Sequence, residues 1–373
     1  MLTSLEIKNF RTFKHLRIER LGQVNLILGK NNVGKTTLLE ALQLYGSRWP
    51  ARTALDILEG RGEIGGTNRP GAVVNLRSLF HGRQAEPGTQ SSIGPATNGD
   101  GSRVFQVAKI EEDVDYDKAL TAGQQPAFSL VPQFAVEYRF GSDPVSTWTI
   151  LPSRRVHSFM AGPLSSADMT TNPKPPLLRL TSAASMLNET AVRWDSLALT
   201  TGEQDVVGLL QTIAPIQGVR YIETAMGRVA IVQIEGKTDP IPLMSQGEGT
   251  VHVFQIAVAM VHTAMAWKKV AERDQFPNMF PGLLIDEFEV GVHHTLHADL
   301  WRFVLKAARE LGVQVFATTH SWDCVRGFAA AVQDVPQCDA LAIRLERSRD
   351  RSAAVSFTPE EMKIVVREEI EVR

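Results

Sequence analysis

What the chain has little of narrows its possibilities first. Two cysteines, Cys324 and Cys338, stand in 373 residues. That is too few for a disulfide scaffold and wrongly spaced for a cysteine metal site, and it fits a reducing, cytoplasmic setting. Surplus charge is nearly absent: 39 basic against 41 acidic residues give a net charge of -2. No global field draws the chain to nucleic acid or to an anionic membrane, so any such surface must be local. Uninterrupted apolar runs are missing as well. The longest, Val251 to Trp267, is broken by His252, Gln255 and His262 and reads as a buried helix, not a membrane span. No cleavable leader opens the chain, since Met1-Leu2-Thr3-Ser4-Leu5-Glu6 is charged almost at once. Repeats and sustained heptads are absent too, which leaves no room for a long coiled-coil arm. What remains is an apolar fraction of 43% with 21% charged residues, enough for the ample core of one large unit, read here as spanning 1–373.

Within that frame, residues 29–37 read GKNNVGKTT. Gly29, four residues, then Gly34-Lys35-Thr36 complete the phosphate-loop pattern. The apolar run Val24–Leu28 precedes it as a buried strand, and Leu38–Leu42 follows at helical spacing. Loop amides and a helix N-terminus form an anion site. Gly29, Asn31, Asn32, Gly34, Lys35, Thr36 and Thr37 are therefore the expected nucleotide cradle. In it Lys35 reaches the β- and γ-phosphates of ATP and Thr36 offers its hydroxyl to Mg²⁺.

Three further constellations follow in the second half. The apolar Leu283-Leu284-Ile285 ends in Asp286 and Glu287, which places Asp286 beside the metal and Glu287 as a general base. The buried strand Val313–Thr319 runs into His320, a hydrogen-bonding partner for γ-phosphate or water, or a structural strand-end histidine. Ser245-Gln246-Gly247-Glu248-Gly249 opens the long helix and makes a second anion site from Ser245, Gly247 and Glu248. One nucleotide does not need two such sites from one chain, whereas two chains facing each other use both. Elsewhere, 82–102 and 162–176, rich in Gly, Pro, Ser and Thr, read as long loops, and helical spacing then short strands fill 180–240. Arg344, Arg347, Arg349 and Arg351, interleaved with Glu346 and Asp350, read as a solvated hairpin. Cys324 reads as a packing residue, and His293, His294 and His297 lack a further spaced ligand for a metal.

In this order the motifs resemble the ATP-binding-cassette heads of the SMC, RecF and OLD families. Ser245–Glu248 looks like the signature motif with Gln246 in place of its first glycine, Leu283–Glu287 like the Walker B strand, Glu289–His293 like the D-loop and His320 like the switch histidine. The opening Ile7-Lys8-Asn9-Phe10-Arg11-Thr12-Phe13 matches too. The likeness is nearest to stand-alone OLD-like bacterial ATPases. It implies an α/β P-loop head with a mixed, largely parallel core sheet, an antiparallel β lobe and a helical signature lobe to which 180–240 contributes. It further implies Mg-ATP hydrolysis, ATP-dependent homodimerisation and control of a separate nuclease or toxin effector in DNA repair or phage defence. DNA is a further candidate partner, and no membrane is implied. Glu287, His320 and Lys35 are then the catalytic set. Two departures stand out. No glutamine stands out as the Q-loop, since Gln84 lies in an expected loop and the strand end near 151–155 has none, and Phe288 stands where transporter cassettes carry proline. About fifty residues follow His320, at the low end of the ~50–200 of a domain, so no nuclease module is expected there. The competing readings are an ATP-dependent dimerising scaffold with little hydrolysis and a transporter motor subunit.

Overall fold

The computed structural model describes residues 1–47, 50–63, 76–96, 102–110, 134–140, 146–150, 156–160, 177–180, 186–225, 227–271, 280–348 and 351–371. In order along the chain these form β1 (Leu5–Phe10), β2 (Phe13–Ile18), β3 (Val24–Leu28), α1 (Lys35–Gly46), α2 (Pro50–Gly60), β4 (Gln90–Gly94), β5 (Arg103–Ile110), β6 (Phe134–Phe140), β7 (Ser146–Ile150), β8 (Val156–Met160) and β9 (Leu177–Leu180). After these come α3 (Met186–Leu197), α4 (Thr201–Gln211), β10 (Ile216–Thr224), β11 (Gly227–Ile234), β12 (Ile241–Pro242), α5 (Glu248–Ala271), β13 (Gly282–Ile285), α6 (His297–Leu311), β14 (Gln314–Thr318), α7 (Trp322–Asp334), β15 (Ala340–Ser348), β16 (Arg351–Phe357) and α8 (Pro359–Arg367).

Mainly apolar runs form β3, β13 and β14 of the central sheet, which is ordered β16-β15-β3-β14-β13-β9. β15, β3, β14, β13 and β9 are mutually parallel, and β16 pairs antiparallel at one edge. Alternate residues of each strand enter opposite cores. Leu26 and Leu28, Leu283 and Ile285, and Val315 and Ala317 face one core with α5, α6 and α7. Ile27, Leu284 and Phe316 face the other with α1, α2 and the first strands. Burial on both faces is why these strands do not alternate in polarity. Their buried polar residues are satisfied: Asn25 Nδ2 donates to the carbonyls of Gly22 (2.8 Å) and Val315 (3.2 Å), and Gln314 Nε2 to those of Leu2 and Gly22 (both 2.8 Å).

The antiparallel lobe is the sheet β2-β1-β4-β5-β6-β7-β8. β1 and β2 alternate as their sequence does, with Leu5, Ile7, Leu16 and Ile18 buried. The surface loop expected over 82–102 is corrected here. It contains β4, which pairs with β1 and β5, and Ile93 is fully buried. Its Gly and Ser content serves a close chain approach, since a Cβ on Gly94 would lie 2.5 Å from Ser102 Cα. The expected loop at 162–176 lies outside the described residues. Over 180–240 the helices α3 and α4 are followed by the hairpin β10–β11. The apolar window of α5 is long enough to cross a membrane, yet 67% of it is buried within the fold, where the helix packs on α3, α4, α6 and β9.

Candidate functional site

The phosphate loop joins β3 to α1 through two positions that only glycine fits. Gly29 (φ 136°) and Gly34 (φ 109°) lie in the left-handed half of backbone space. A Cβ on Gly34 would meet the Phe13 ring at 2.6 Å, and one on Gly29 would meet the Leu345 carbonyl oxygen at the same distance. Pinned between β2 and β15, the loop directs the first amides of α1 toward a cavity of about 590 Å³. Asn31, Asn32, Gly34, Lys35, Thr36 and Thr37 line it from the loop side, Glu287 and His320 from across, and Thr12, Arg61 and Arg347 at the rim. Lys35 is 5% exposed. Its Nζ donates to the carbonyls of Gly29 and of Lys30 (3.1 Å) and lies 3.2 Å from His320 Nδ1. Burial pushes this lysine down to about 8, against the opposing pull of Glu289, Asp286 and Glu287.

β13 delivers the two acids, and Thr318 at the end of β14 orients both. The Thr318 hydroxyl donates to Asp286 Oδ1 (2.7 Å) and accepts from the Glu287 amide (2.9 Å), while its carbonyl accepts from the Phe288 amide (2.9 Å). Glu287 itself has φ 54°, an uncommon backbone for a non-glycine residue and one held here by those bonds. The Glu289 carboxylate accepts from the His320 amide at 2.8 Å, so the turn after the acids fixes the residue after β14. Arg179 of β9 donates to Asp286 Oδ2 at 2.9 Å.

Thr36 and Asp286 provide oxygen donors only. Among the described residues no group of three or more His, Cys, Asp or Glu side chains is positioned to hold a metal. That donor set fits Mg²⁺, which keeps several waters and takes substrate phosphate oxygens in place of an all-protein cage.

The turn Ser245–Gly249 lies elsewhere. Leu243–Gln246 form a 3-10 turn, Gly247 (φ 91°) breaks it, and α5 starts at Glu248. Ser245, Gly247 and Glu248 are exposed, and none lines the phosphate-loop cavity. Gly249 abuts the D-loop position, where a Cβ would sit 3.2 Å from the Gly291 carbonyl oxygen. His252, one turn into α5, has its Nε2 3.2 Å from the Phe288 carbonyl oxygen, and burial lowers its pKa. The fold thus gathers Lys35, Thr36, Glu287 and His320 around one cavity with Asp286 adjoining, and holds Ser245, Gly247 and Glu248 on a separate surface.

Sequence reasoning missed Thr318, Arg179 and Arg61, and it gave Glu289 and Arg347 no part in this cavity. Arg179 had one visible signal, a charge inside Leu177-Leu178-Arg179-Leu180, because an ionised group in a buried strand requires a partner.

Residues 1–48 match the family described as "AAA ATPase domain", and residues 188–323 the family described as "AAA domain, putative AbiEii toxin, Type IV TA system". An ATP/GTP phosphatase of Helicobacter pylori is 44% identical over 61 residues, 16% of each chain. The DNA replication and repair protein RecF of Clostridioides difficile is 42% identical over 55 residues, 15% of each chain. The matched segments therefore span about a sixth of these relatives' length. Among solved structures, an SMC head bound to the C-terminal winged-helix domain of ScpA superposes with a TM-score of 0.49 at 11% identity, covering 96% of this chain and 98% of that one. The SMC head of Thermotoga maritima gives 0.43 at 11%, covering 96% and 99%. Such values set a distant likeness and nothing finer. The phosphate loop, the sheet order around it and the two ATPase-domain matches identify an α/β P-loop ATPase fold.

Proposed function

We propose that the chain is an Mg-ATP-driven switch that dimerises on ATP and hydrolyses it in composite sites. One observation carries the reading: of two glycine turns that open helices, one lines the cavity with Glu287 while Ser245, Gly247 and Glu248 of the other are exposed outside it. In this account the loop amides and Lys35 hold the β- and γ-phosphates, and the nucleoside extends past Thr37 and Thr12. Thr36 and Asp286 would hold Mg²⁺, which would supply neutralisation of phosphate charge. Glu287 takes a proton from the attacking water, and the His320 imidazole stays within reach of the γ-phosphate. Ser245, the Gly247 amide and the amides at the start of α5 close on the nucleotide of the partner subunit. The isologous dimer then has two equivalent sites.

Dimer formation would control a separate nuclease or toxin effector, in DNA repair or phage defence, as in an OLD-like cytoplasmic ATPase. With a net charge of -2, any DNA contact would depend on the surface assembled by pairing. The test is Glu287→Gln, which keeps the ATP site and removes the base. Turnover should fall ~10²–10⁴-fold, and the variant should sediment as a dimer with Mg-ATP and as a monomer without it. A monomer in both conditions, or turnover within a few-fold of the parent, would contradict the proposal.

A further inference from the structure

β9 is a strand of only four residues, yet it carries an arginine into the metal side of the site. Its parallel register with β13 sets Arg179 opposite Leu284 and Leu180 opposite Ile285, and the Asp286 amide then donates to the Leu180 carbonyl (3.0 Å). Leu284 faces the α1 core. Arg179 therefore shares a sheet face with Glu40 of α1 as well as with Asp286. Its guanidinium lies between the two carboxylates: Nη2 is 2.9 Å from Asp286 Oδ2, and Nη1 is 3.9 Å from Glu40 Oε1. Glu40 is 1% exposed and pairs also with Arg61 Nε (2.6 Å) and Arg11 Nε (3.2 Å). Arg11 continues the chain of pairs to Glu63 at 2.9 Å.

Asp286 thus has both oxygens engaged, Oδ1 by Thr318 and Oδ2 by Arg179. A neutral hydroxyl does not oppose a divalent cation beside the carboxylate. A guanidinium 2.9 Å from that carboxylate does, because like charges a few ångströms apart in a half-buried site repel.

We infer that Arg179 is a movable counter-ion of Asp286: it holds and neutralises the carboxylate, and a divalent metal takes its place as Arg179 swings toward Glu40. Glu40 is the second seat, buried, already 3.9 Å from Arg179 Nη1 and shared with Arg61 and Arg11. The consequence is a threshold on metal entry, with Arg179 acting as a positioning residue through Asp286 and not on the nucleotide itself. This rests on Asp286 being the metal-side acid of the proposed function.

The test is Mn²⁺ binding to the full chain, read by electron paramagnetic resonance with a saturating non-hydrolysable ATP analogue. It compares the parent, Arg179→Lys, Arg179→Gln and Glu40→Gln, with thermal denaturation run on each. Arg179→Gln keeps a hydrogen-bond donor and removes the charge, so Mn²⁺ should bind about tenfold more tightly. Arg179→Lys should stay close to the parent. Glu40→Gln removes the second seat and should bind Mn²⁺ several-fold more weakly; if Arg179→Gln does not fold, this variant and Arg179→Lys decide. A merely structural Arg179 predicts the opposite sign, because a loosened Asp286 weakens Mn²⁺ binding. Unchanged or weaker binding in Arg179→Gln would overturn the inference while leaving the metal site standing. Absence of analogue-dependent Mn²⁺ binding in the parent would overturn both.

Discussion

Lys35 shows how one residue sets a measurable pH dependence. Burial places its pKa near 8 against an ordinary 10.5, so the ligand-free protein loses this ammonium as pH rises through about 8. Phosphate favours the charged form, and binding should lift the pKa back toward its ordinary value. Between those two values the bound state holds more protons than the free state. Nucleotide affinity should therefore fall with rising pH above about 8, with proton uptake on binding. Calorimetry at pH 8.5 in buffers of differing ionisation enthalpy should register that uptake in the parent and not in Lys35→Met. Equal signals from both would assign the proton to another group. The same scale holds what could not be read from the chain. Thr318 and Asp286 meet at 2.7 Å across 32 residues, and Arg179 and Asp286 at 2.9 Å across 107. Such pairs are created by strand register, which a single sequence does not display.

Among the elements, the strands buried on both faces were legible, because β3, β13 and β14 are mainly apolar and lead into the phosphate loop, the two acids and His320. β4 was not. Its Gln-Ser-Ser-Ile-Gly has the composition of a loop, and only pairing with β1 and β5 makes it a strand. β9, four residues after a Pro pair, was missed for a similar reason: it is too short to show a period, and its burial comes from α1 and α5. Element packing also supports the acids. Trp301 of α6 is fully buried, stacks on Phe288 with ring centroids 3.8 Å apart, meets Phe328 of α7 edge-on at 4.9 Å, and donates to the Cys324 carbonyl at 3.2 Å. Cys324 itself is a packing residue, its thiol pushed up to about 12 by burial. Trp301→Ala should cost about 3–5 kcal/mol of stability. Because Phe288 follows Glu287 directly, turnover should fall in the folded fraction as well. Chemical denaturation and single-turnover hydrolysis on the same sample measure the two effects; a loss of less than about 1 kcal/mol would show that the aromatic stack is not a support.

For the whole molecule, the question is whether the two anion-binding turns serve one nucleotide. Lys35 faces the acids and His320 within one cavity, while Ser245, Gly247 and Glu248 are exposed apart from it. Composition indicated this only as a surplus of phosphate sites, since nothing in one chain's sequence tells which site faces which. The direct test mixes two single variants. Lys35→Ala removes the phosphate contact, and Gly247→Asp sets a carboxylate against phosphate from the other subunit, where an added Cβ has no neighbour within 4 Å but the backbone at φ 91° strains any side chain. Each alone should be inactive. In the mixed dimer one site carries both lesions and the other carries neither, so the account predicts that equimolar mixing restores ATP hydrolysis to a level below half that of the parent. A mixture that forms mixed dimers, verified by differential tagging, and still hydrolyses no ATP would contradict independently firing composite sites between subunits.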